Sequence, residues 1–240
     1  MAQALVPLKD LVLAKTRLSG LLSPSERRAL TQAMLEDVLA VLAVHPEIQR
    51  VTLVSDDPSA HLLAGQYGAV HWPESELRCS GLNNIVGAAS ARLLVENEQP
   101  LLVLHADLPL LCAQDISAVL ALRRLRPGLV VGCDRHGSGT NLLCFDASSV
   151  PDFCFGTDSC ARHMASARAR GIAATKIQRP GIGLDVDEPR DLALLLQRMD
   201  ALSDSHTAAL LHQSGLGARV SLALESLGAP ALTLDEIEVS

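Results

Sequence analysis

The chain has 240 residues, of which 48% are hydrophobic, 20% are charged and only 2% are aromatic, and its formal net charge is −7. This length allows one α/β domain with a large core built from Leu, Val, Ala and Ile. The acidic balance argues against a general nucleic-acid binder, which usually presents a basic face, but it permits an anionic small molecule bound by a few local cations.

The cysteines and the N-terminus indicate the compartment. Six cysteines occur without a Cys-x-x-Cys pair, which argues against a zinc ribbon or thioredoxin-like chemistry. The first ten residues show no basic segment followed by a long apolar run, so we expect no signal peptide. No apolar stretch reaches the ~18 residues of a membrane span. We therefore expect a cytoplasmic protein with reduced, buried cysteines and no membrane partner.

Strand and helix patterns alternate along the chain. An apolar strand over 4–8 is followed by a helix start, at which Ser23 is the N-cap and Pro24 the first helical residue. Glu26 closes a capping box there. The remaining elements are, in order, strands over 50–55, 69–72, 101–105, 129–133, 140–145 and 173–177, and helices from Pro58 and over 82–95, 115–125, 159–170 and 188–199. This order predicts an α/β fold with a mostly parallel sheet between helices.

The composition changes after residue 199 to Ser, Gly and scattered Leu. We therefore divide the chain into a domain over 1–200 and a C-terminal appendage over 201–240 with one or two short helices. The appendage carries no constellation of charged residues connected with a site, so we expect residues 204–240 to be dispensable for chemistry. Its leucines would suit the interface of a homodimer.

Three aspartates occur where ligands of open parallel sheets bind, at the carboxyl ends of strands. Asp107 follows the strand over 101–105. Asp185 and Asp187 alternate, so an extended chain presents both carboxylates on one face. Each alone is also typical of a helix cap or turn. Three such aspartates from two distant segments favour a shared Mg²⁺ site, because Mg²⁺ prefers hard oxygen ligands.

A basic loop follows the first strand. Lys9, Lys15 and Arg17 are either a solvated surface or a phosphate clamp, since cations at this position face the ligand edge of the sheet. The loop contains neither a P-loop nor a Gly-x-Gly-x-x-Gly fingerprint, which argues against a nicotinamide-dependent dehydrogenase.

Three further loops carry polar residues at element ends. The loop over 79–86 leads into a helix, and Asn83 there could cap the helix or bond a base edge. The Gly-rich loop over 135–143 is either a hairpin turn or part of a site that includes Thr140. Ser159 begins a helix whose free N–H groups would favour an anion.

Six motifs in order resemble the 2-phospho-L-lactate guanylyltransferase family of deazaflavin coenzyme F(420) biosynthesis. They are VPLKDLVLAKTRL, GLNNIV, HADLPLL, GSGTNLL, FGTDSCARH and GLDVDEPRDL. The resemblance covers about residues 3–199. It implies a Rossmann-like nucleotidyltransferase fold of the glycosyltransferase-A type, within the domain over 1–200.

The resemblance also implies a reaction between GTP and a small phosphorylated carboxylic acid. That acid is 2-phospho-L-lactate, phosphoenolpyruvate or 3-phospho-D-glycerate. Its phosphate attacks the α-phosphorus of GTP and pyrophosphate leaves.

The same resemblance implies roles for individual residues. The triphosphate would be held by Lys9, Lys15 and Arg17, beside the catalytic residue Asp107. Guanine would be bound by Gly81, Leu82 and Asn83, and the acid by Thr140, Gly156 and Ser159. Mg²⁺, with Mn²⁺ as an alternative, would be held by Asp107, Asp185 and Asp187. Asp158 stands where the family commonly has Gly, and we expect its carboxylate to point to water, because an unpaired acid beside a phosphate is costly.

Two alternatives stay open at this point. One is another nucleotidyltransferase, such as a molybdopterin guanylyltransferase or a cytidylyltransferase, although those usually carry a Gly-rich Arg loop after the first strand. The other is a noncatalytic nucleotide-binding module, which would need neither three acidic residues nor two Gly-rich loops.

Overall fold

The structure is a computed structural model that describes residues 1–9, 11, 14–96, 99–199 and 204–226. The strands are β1 (Ala2–Pro7), β2 (Ile48–Val54), β3 (Val70–Trp72), β4 (Leu101–Leu104), β5 (Leu129–Cys133), β6 (Thr140–Phe145) and β7 (Ala174–Ile177). The helices are α1 (Pro24–Val44), α2 (Ala60–Gln66), α3 (Leu82–Glu96), α4 (Ala113–Leu125), α5 (Ser159–Ala169), α6 (Pro180–Gly183), α7 (Pro189–Arg198), α8 (His206–Gln213) and α9 (Leu216–Ser226). Two 3-10 turns cover Thr16–Leu18 and Glu74–Leu77.

The strands form one sheet in the order β3-β2-β1-β4-β6-β5-β7. β6 is antiparallel to β4 and β5, and the other neighbours are parallel. The Gly-rich loop over 134–139 is the hairpin turn between β5 and β6. A loop this short can join antiparallel strands, whereas parallel strands need a crossover of about a dozen residues or more. The predicted mostly parallel sheet between helices is confirmed.

Local sequence signals produce the helix starts. At α1, Ser23 Oγ accepts a hydrogen bond from the Glu26 N–H at 3.3 Å. Glu26 Oε2 accepts one in return from the Ser23 N–H at 2.8 Å. This is the predicted capping box, and it satisfies two backbone donors that the helix itself leaves free.

Successive side chains of β1 point to opposite faces of the sheet, so the strand contributes to the hydrophobic core on both faces. Ala4 and Val6 pack with Leu39 of α1 on one face. Leu5 packs with Val86 of α3 on the other. Because both faces are covered by helices, the ligand edge is left at the carboxyl ends of the strands.

The C-terminal helices pack onto the body of the chain. Asp37 of α1 caps α8, since its two carboxylate oxygens accept hydrogen bonds from the N–H groups of His206 at 2.6 Å and Thr207 at 3.0 Å. Leu211 of α8 belongs to the same buried cluster as Leu18 and Val186. These two residues lie next to the predicted site segments, so the helices support them.

This packing changes our expectation for the C-terminus. Residues 204–226 supply core to the segments that carry the site, so we no longer expect their removal to leave chemistry intact. The boundary at residue 200 and residues 227–240 lie outside the described residues, and the division into a domain and an appendage stays a prediction.

A pair of Leu→Ala variants tests this support. Leu211 is fully buried and Leu222 of α9 is 67% exposed. We expect Leu211→Ala to lower the free energy of unfolding by about 3 kcal/mol through lost burial and the cavity left behind. The exposed control, Leu222→Ala, should change it by less than about 0.5 kcal/mol. Equal effects in denaturant titrations would show that α8 does not belong to the core.

None of the described helices combines the length and apolar composition that crossing a bilayer requires.

Candidate active site

A cavity of about 660 Å³ opens at the carboxyl ends of β1 to β4. Four loops that follow these strands, the start of α3 and the segment before α7 contribute to its wall. The lining includes Lys9, Lys15, Asp56, Asp57, Glu74, Gly81, Leu82, His105, Asp107 and Asp187. The cavity is therefore located where an open parallel sheet binds its ligand.

Lys15 lies at the centre of the charged wall. Its ammonium donates hydrogen bonds to Asp107 Oδ2 and, at 2.7 Å, to Asp187 Oδ1. The Lys15 side chain is only 6% exposed. Burial alone would lower the pKa of Lys15, but the two carboxylates outweigh it and raise that pKa above its ordinary value. The ammonium therefore stays charged while it bridges two distant segments.

The two carboxylate oxygens of Asp107 differ in their hydrogen bonding within the described part of the chain. Burial alone would raise the pKa of Asp107, but the Lys15 ammonium outweighs it and holds that pKa below its usual value. Oδ2 bonds Lys15, whereas Oδ1 is buried and accepts no hydrogen bond from any described residue. His105 Nδ1 is 3.9 Å from Oδ1, beyond hydrogen-bond distance.

Asp185 and Asp187 are held by neighbours that the sequence reasoning did not assign. Asn141 Nδ2 donates to Asp185 Oδ1 at 3.1 Å. The Asp187 N–H donates to Asp191 Oδ2 at 2.9 Å. Burial, and then the charge of Asp107, raise the pKa of Asp185. Two signals were available in the sequence: Asn141 in the Gly-Thr-Asn motif, and an Asp in the first turn of α7.

The carboxylates have the chemistry of a magnesium site but are not gathered into a cage. No group of three or more His, Cys, Asp or Glu in the described ranges is arranged to hold a metal. Instead the Lys15 ammonium lies between Asp107 and Asp187. The orphaned Asp107 Oδ1 and the hard oxygen donors fit Mg²⁺. The assignment of Asp107, Asp185 and Asp187 to Mg²⁺ stays a prediction.

The three predicted phosphate-binding cations are placed differently. Lys15 is buried in the cavity wall, and Lys9 is an exposed residue of the same wall. Arg17 is 69% exposed, pairs with Glu188 at 2.8 Å and is not among the lining residues. The structure thus brings Lys15 and Lys9 to the cavity, but it does not bring Arg17 there.

Asn83 is occupied by the backbone of another loop. Its Oδ1 accepts from the Phe155 N–H at 2.8 Å, and its Nδ2 donates to the Phe155 carbonyl at 3.4 Å. Gly81 and Leu82 line the cavity, but Asn83 does not. The Asn83 amide connects the start of α3 to the loop before α5, and the assignment of Gly81, Leu82 and Asn83 to guanine stays a prediction.

The predicted acid-binding residues also lie outside the cavity wall. Thr140 and Ser159 are each only 2% exposed, whereas Gly156 is exposed and has a φ of +118°. The two hydroxyls are therefore not available to a ligand in this arrangement, because the surrounding fold covers them. Asp158 is exposed, as we expected for its carboxylate.

Thr140 is hydrogen-bonded to a buried histidine, His163. The Cys154 N–H donates to His163 Nε2 at 2.9 Å, so Nδ1 carries the proton and donates to Thr140 Oγ1 at 3.1 Å. His163 is fully buried, and burial lowers its pKa to about 4. The ring is therefore neutral at pH 7 and fixes the loop before α5.

This histidine predicts an acid-dependent loss of stability. The unfolded chain binds a proton at the ordinary pKa of 6.5, whereas the folded chain does not until about 4. The unfolding free energy should therefore fall as the pH decreases from 6.5 to 4, by up to roughly 3 kcal/mol. Denaturant titrations across this range should give a flatter curve for His163→Gln. Equal slopes in both proteins would contradict the neutral buried ring.

Sequence reasoning missed the carboxylates that follow β2 and β3. Asp57 is buried, and its Oδ2 accepts from the Leu11 N–H at 3.0 Å. Its Oδ1 accepts from the Ser59 N–H at 2.9 Å. Burial opposes the charge, but the hydrogen bonds from Ser59 and Leu11 outweigh it and hold the pKa of Asp57 below its usual value. Asp57 thereby anchors the basic loop, and its signal was an Asp-Asp-Pro sequence at a strand end.

The fold of the chain is similar to that of solved nucleotidyltransferases and related transferases. A solved structure of a protein from Desulfovibrio desulfuricans G20, assigned to the nucleotide-diphospho-sugar transferases, superimposes with a TM-score of 0.76. It covers 92% of this chain and 97% of its own, at 16% sequence identity. At that identity the likeness concerns the fold alone.

Sequence comparison gives the family. Residues 2–223 match the model of the family described as "Guanylyl transferase CofC like", and the chain belongs to that family. A phosphoenolpyruvate guanylyltransferase of Roseiflexus castenholzii is 38% identical over 206 residues, covering 86% of this chain and 90% of that protein. A 3-phospho-D-glycerate guanylyltransferase of Phenylobacterium zucineum is 36% identical over 194 residues, covering 80% and 88%. The family match extends past residue 200 into α8 and α9.

Proposed function

We propose that this chain transfers GMP from GTP to the phosphate of a small phosphorylated carboxylic acid and releases pyrophosphate. The observation that carries the proposal is the buried ammonium of Lys15 held between Asp107 and Asp187 in the cavity of a guanylyltransferase-family chain.

In this reaction an oxygen of the acid's phosphate attacks the α-phosphorus of GTP. The new P–O bond forms as the bond between the α-phosphorus and the bridging oxygen to the β-phosphate breaks, and pyrophosphate leaves. Lys15 and Lys9 stabilise negative charge on the triphosphate, since both line the cavity. The carboxylates of Asp107 and Asp187 keep the Lys15 ammonium charged and in place.

A divalent cation belongs to this proposal. Asp107 would hold Mg²⁺ through Oδ1, which has no described partner, while Oδ2 keeps its bond to Lys15. Asp185 and Asp187 would supply further oxygens from the opposite segment. When bound, the ion would neutralise charge on the phosphates. Mn²⁺ offers the same preference for oxygen ligands.

Phosphoenolpyruvate is our first candidate for the acid, and 3-phospho-D-glycerate is the second. The two relatives described above, at 38% and 36% identity, are named for these two acids. The role in deazaflavin coenzyme F(420) biosynthesis, the cytoplasmic location and a homodimer stay predictions.

The reaction is tested by incubating the full chain with GTP, Mg²⁺ and each of three acids, phosphoenolpyruvate, 3-phospho-D-glycerate and 2-phospho-L-lactate. We expect pyrophosphate release and a guanosine diphosphate-linked acid of matching mass, with phosphoenolpyruvate fastest. Chelation of Mg²⁺ should stop the reaction. Absence of pyrophosphate with all three acids would contradict the proposal.

A further inference from the structure

A second group of carboxylates lies at the end of the cavity away from Asp107. Asp56 and Glu74 follow β2 and β3 and line the cavity together with Gly81 and Leu82. In the sheet, β3 and β2 lie on one side of β1, and β4 lies on the other. Neighbouring strands are about 4.8 Å apart, so the ends of β3 and β4 are separated by ~14 Å. That separation is comparable to the length of an extended nucleoside triphosphate.

The Glu74 carboxylate has no hydrogen-bond donor among the residues that the structure describes. Asp56 Oδ1 accepts hydrogen bonds from Ser75 N–H and Oγ, both at 3.2 Å, and so holds the 3-10 turn that carries Glu74. Glu74 itself is half-buried and receives no hydrogen bond from the described part of the chain. Burial, and then the Asp56 carboxylate, raise the pKa of Glu74 above its usual value, and Lys9 opposes them only in part. N–H donors from a ligand would therefore be favourable here.

The charges orient a bound nucleoside triphosphate. With the divalent cation proposed at Asp107, the Lys15 end of the cavity would attract the phosphates despite the carboxylates of Asp107 and Asp187. At the other end Asp56 and Glu74 would repel them, and Lys9 offsets this only in part. The base is consequently the part of the nucleotide that meets Glu74. Gly81 and Leu82, which the family resemblance assigns to guanine, line the same cavity, at the start of the helix that packs against the turn carrying Glu74.

Guanine is the base whose edge matches a carboxylate. Its N1–H and N2–H₂ groups are adjacent donors, which the two oxygens of one carboxylate can accept in parallel. Adenine and cytosine each place a ring-nitrogen acceptor beside their amino donor. Uracil flanks a single N–H with two carbonyl acceptors. A carboxylate facing any of these three bases meets at least one acceptor.

We propose that Glu74 determines the nucleotide specificity of this chain by accepting hydrogen bonds from N1–H and N2–H₂ of guanine. The inference rests on the guanylyl transfer proposed above and assigns the base to this end of the same cavity. Asp56 is then a positioning residue, because it acts on the turn that presents Glu74 and not on the base.

Comparison of GTP with ITP tests this assignment, because hypoxanthine keeps N1–H and lacks the N2 amino group. The wild-type chain should prefer GTP by roughly tenfold or more in kcat/KM, measured with phosphoenolpyruvate. Glu74→Gln should reduce kcat/KM for GTP by at least about tenfold and for ITP by less, so that the preference falls to within about threefold. Glu76→Gln is the matched control: it lies in the same turn, is 58% exposed, is 4.0 Å from Arg92 and is not a lining residue.

Calorimetric binding of GTP and ITP in the absence of the acid separates this inference from the proposed reaction. If the wild-type chain releases no pyrophosphate, guanylyl transfer is wrong, and the binding preference still decides the role of Glu74. A GTP-to-ITP ratio that Glu74→Gln leaves unchanged would overturn the assignment, and so would an equal loss in Glu76→Gln. Binding of neither nucleotide by the wild-type chain would overturn it as well.

Discussion

Asp107→Asn should reduce guanylyl transfer by about 10³-fold or more while leaving the chain folded. Asp107 connects two functions, since Oδ2 bonds the Lys15 ammonium, and the buried Oδ1, which has no partner among the described residues, is the oxygen proposed for the cation. The amide keeps the size of the side chain but loses its charge. Charge stabilisation by a metal is worth several kcal/mol, and each ~1.4 kcal/mol corresponds to a factor of ten in rate.

The measurement is kcat/KM with GTP and phosphoenolpyruvate, together with a thermal unfolding curve. The control is Asp152→Asn, which removes an exposed carboxylate that pairs with Arg170 at 2.9 Å. We expect the control to keep wild-type activity. Activity of Asp107→Asn within about threefold of wild type would mean a change of less than about 1 kcal/mol in the activation barrier. That result would show that Asp107 does not act in the active site.

Lys15→Met should have the second large effect, on both rate and stability. Loss of the ammonium removes a cation from the triphosphate site and leaves the Asp107 and Asp187 carboxylates facing each other. Removing one partner of a buried ion pair costs about 3–5 kcal/mol. Since Asp187 is half-exposed, we expect the decrease in unfolding free energy at the lower end of that range, together with a fall in kcat/KM of about 10²-fold or more.

Lys176→Met is the control for this loss of charge. Lys176 is exposed, and its Nζ bonds the Gly137 carbonyl at 3.0 Å, outside the cavity lining. It should keep both wild-type stability, to within about 0.5 kcal/mol, and activity. If Lys15→Met were as stable and as active as this control, the bridge between the two carboxylates would have no function.

The sequence was sufficient to predict those helices and strands whose ends are determined by residues close to them in the chain. Ser23 and Glu26 define the start of α1, and the apolar run Leu101–Leu104 is recognisable as a buried strand without knowledge of its partners. The antiparallel direction of β6 depends on which strands it joins. The sequence left this open, because the loop over 135–143 could be either a hairpin turn or part of a site. The helix Pro180–Gly183 is too short to show a periodic pattern and was not predicted.

The charged centre of the site was predicted better than its polar periphery. Asp107 follows β4 at the ligand edge of the sheet, and the segment between α6 and α7 brings Asp187 to the same edge. Thr140 and Asn83 have partners far along the chain: His163 bonds the Thr140 hydroxyl, and the Phe155 backbone bonds the Asn83 amide. No local sequence pattern encodes such contacts. The sequence analysis therefore assigned ligand-binding roles to two side chains that the structure shows hydrogen-bonded within the protein.

The cavity as the place of guanylyl transfer is the central claim, and the fate of the GTP phosphates tests it most directly. The wild-type chain and Asp107→Asn are each incubated with phosphoenolpyruvate, Mg²⁺ and GTP labelled at either the α- or the γ-phosphorus. We predict that the wild-type chain moves the α-label into the acid-linked product and releases the γ-label as pyrophosphate, and that Asp107→Asn does neither at a comparable rate. Transfer of the γ-label to the acid, or equal transfer of the α-label by both proteins, would contradict the account.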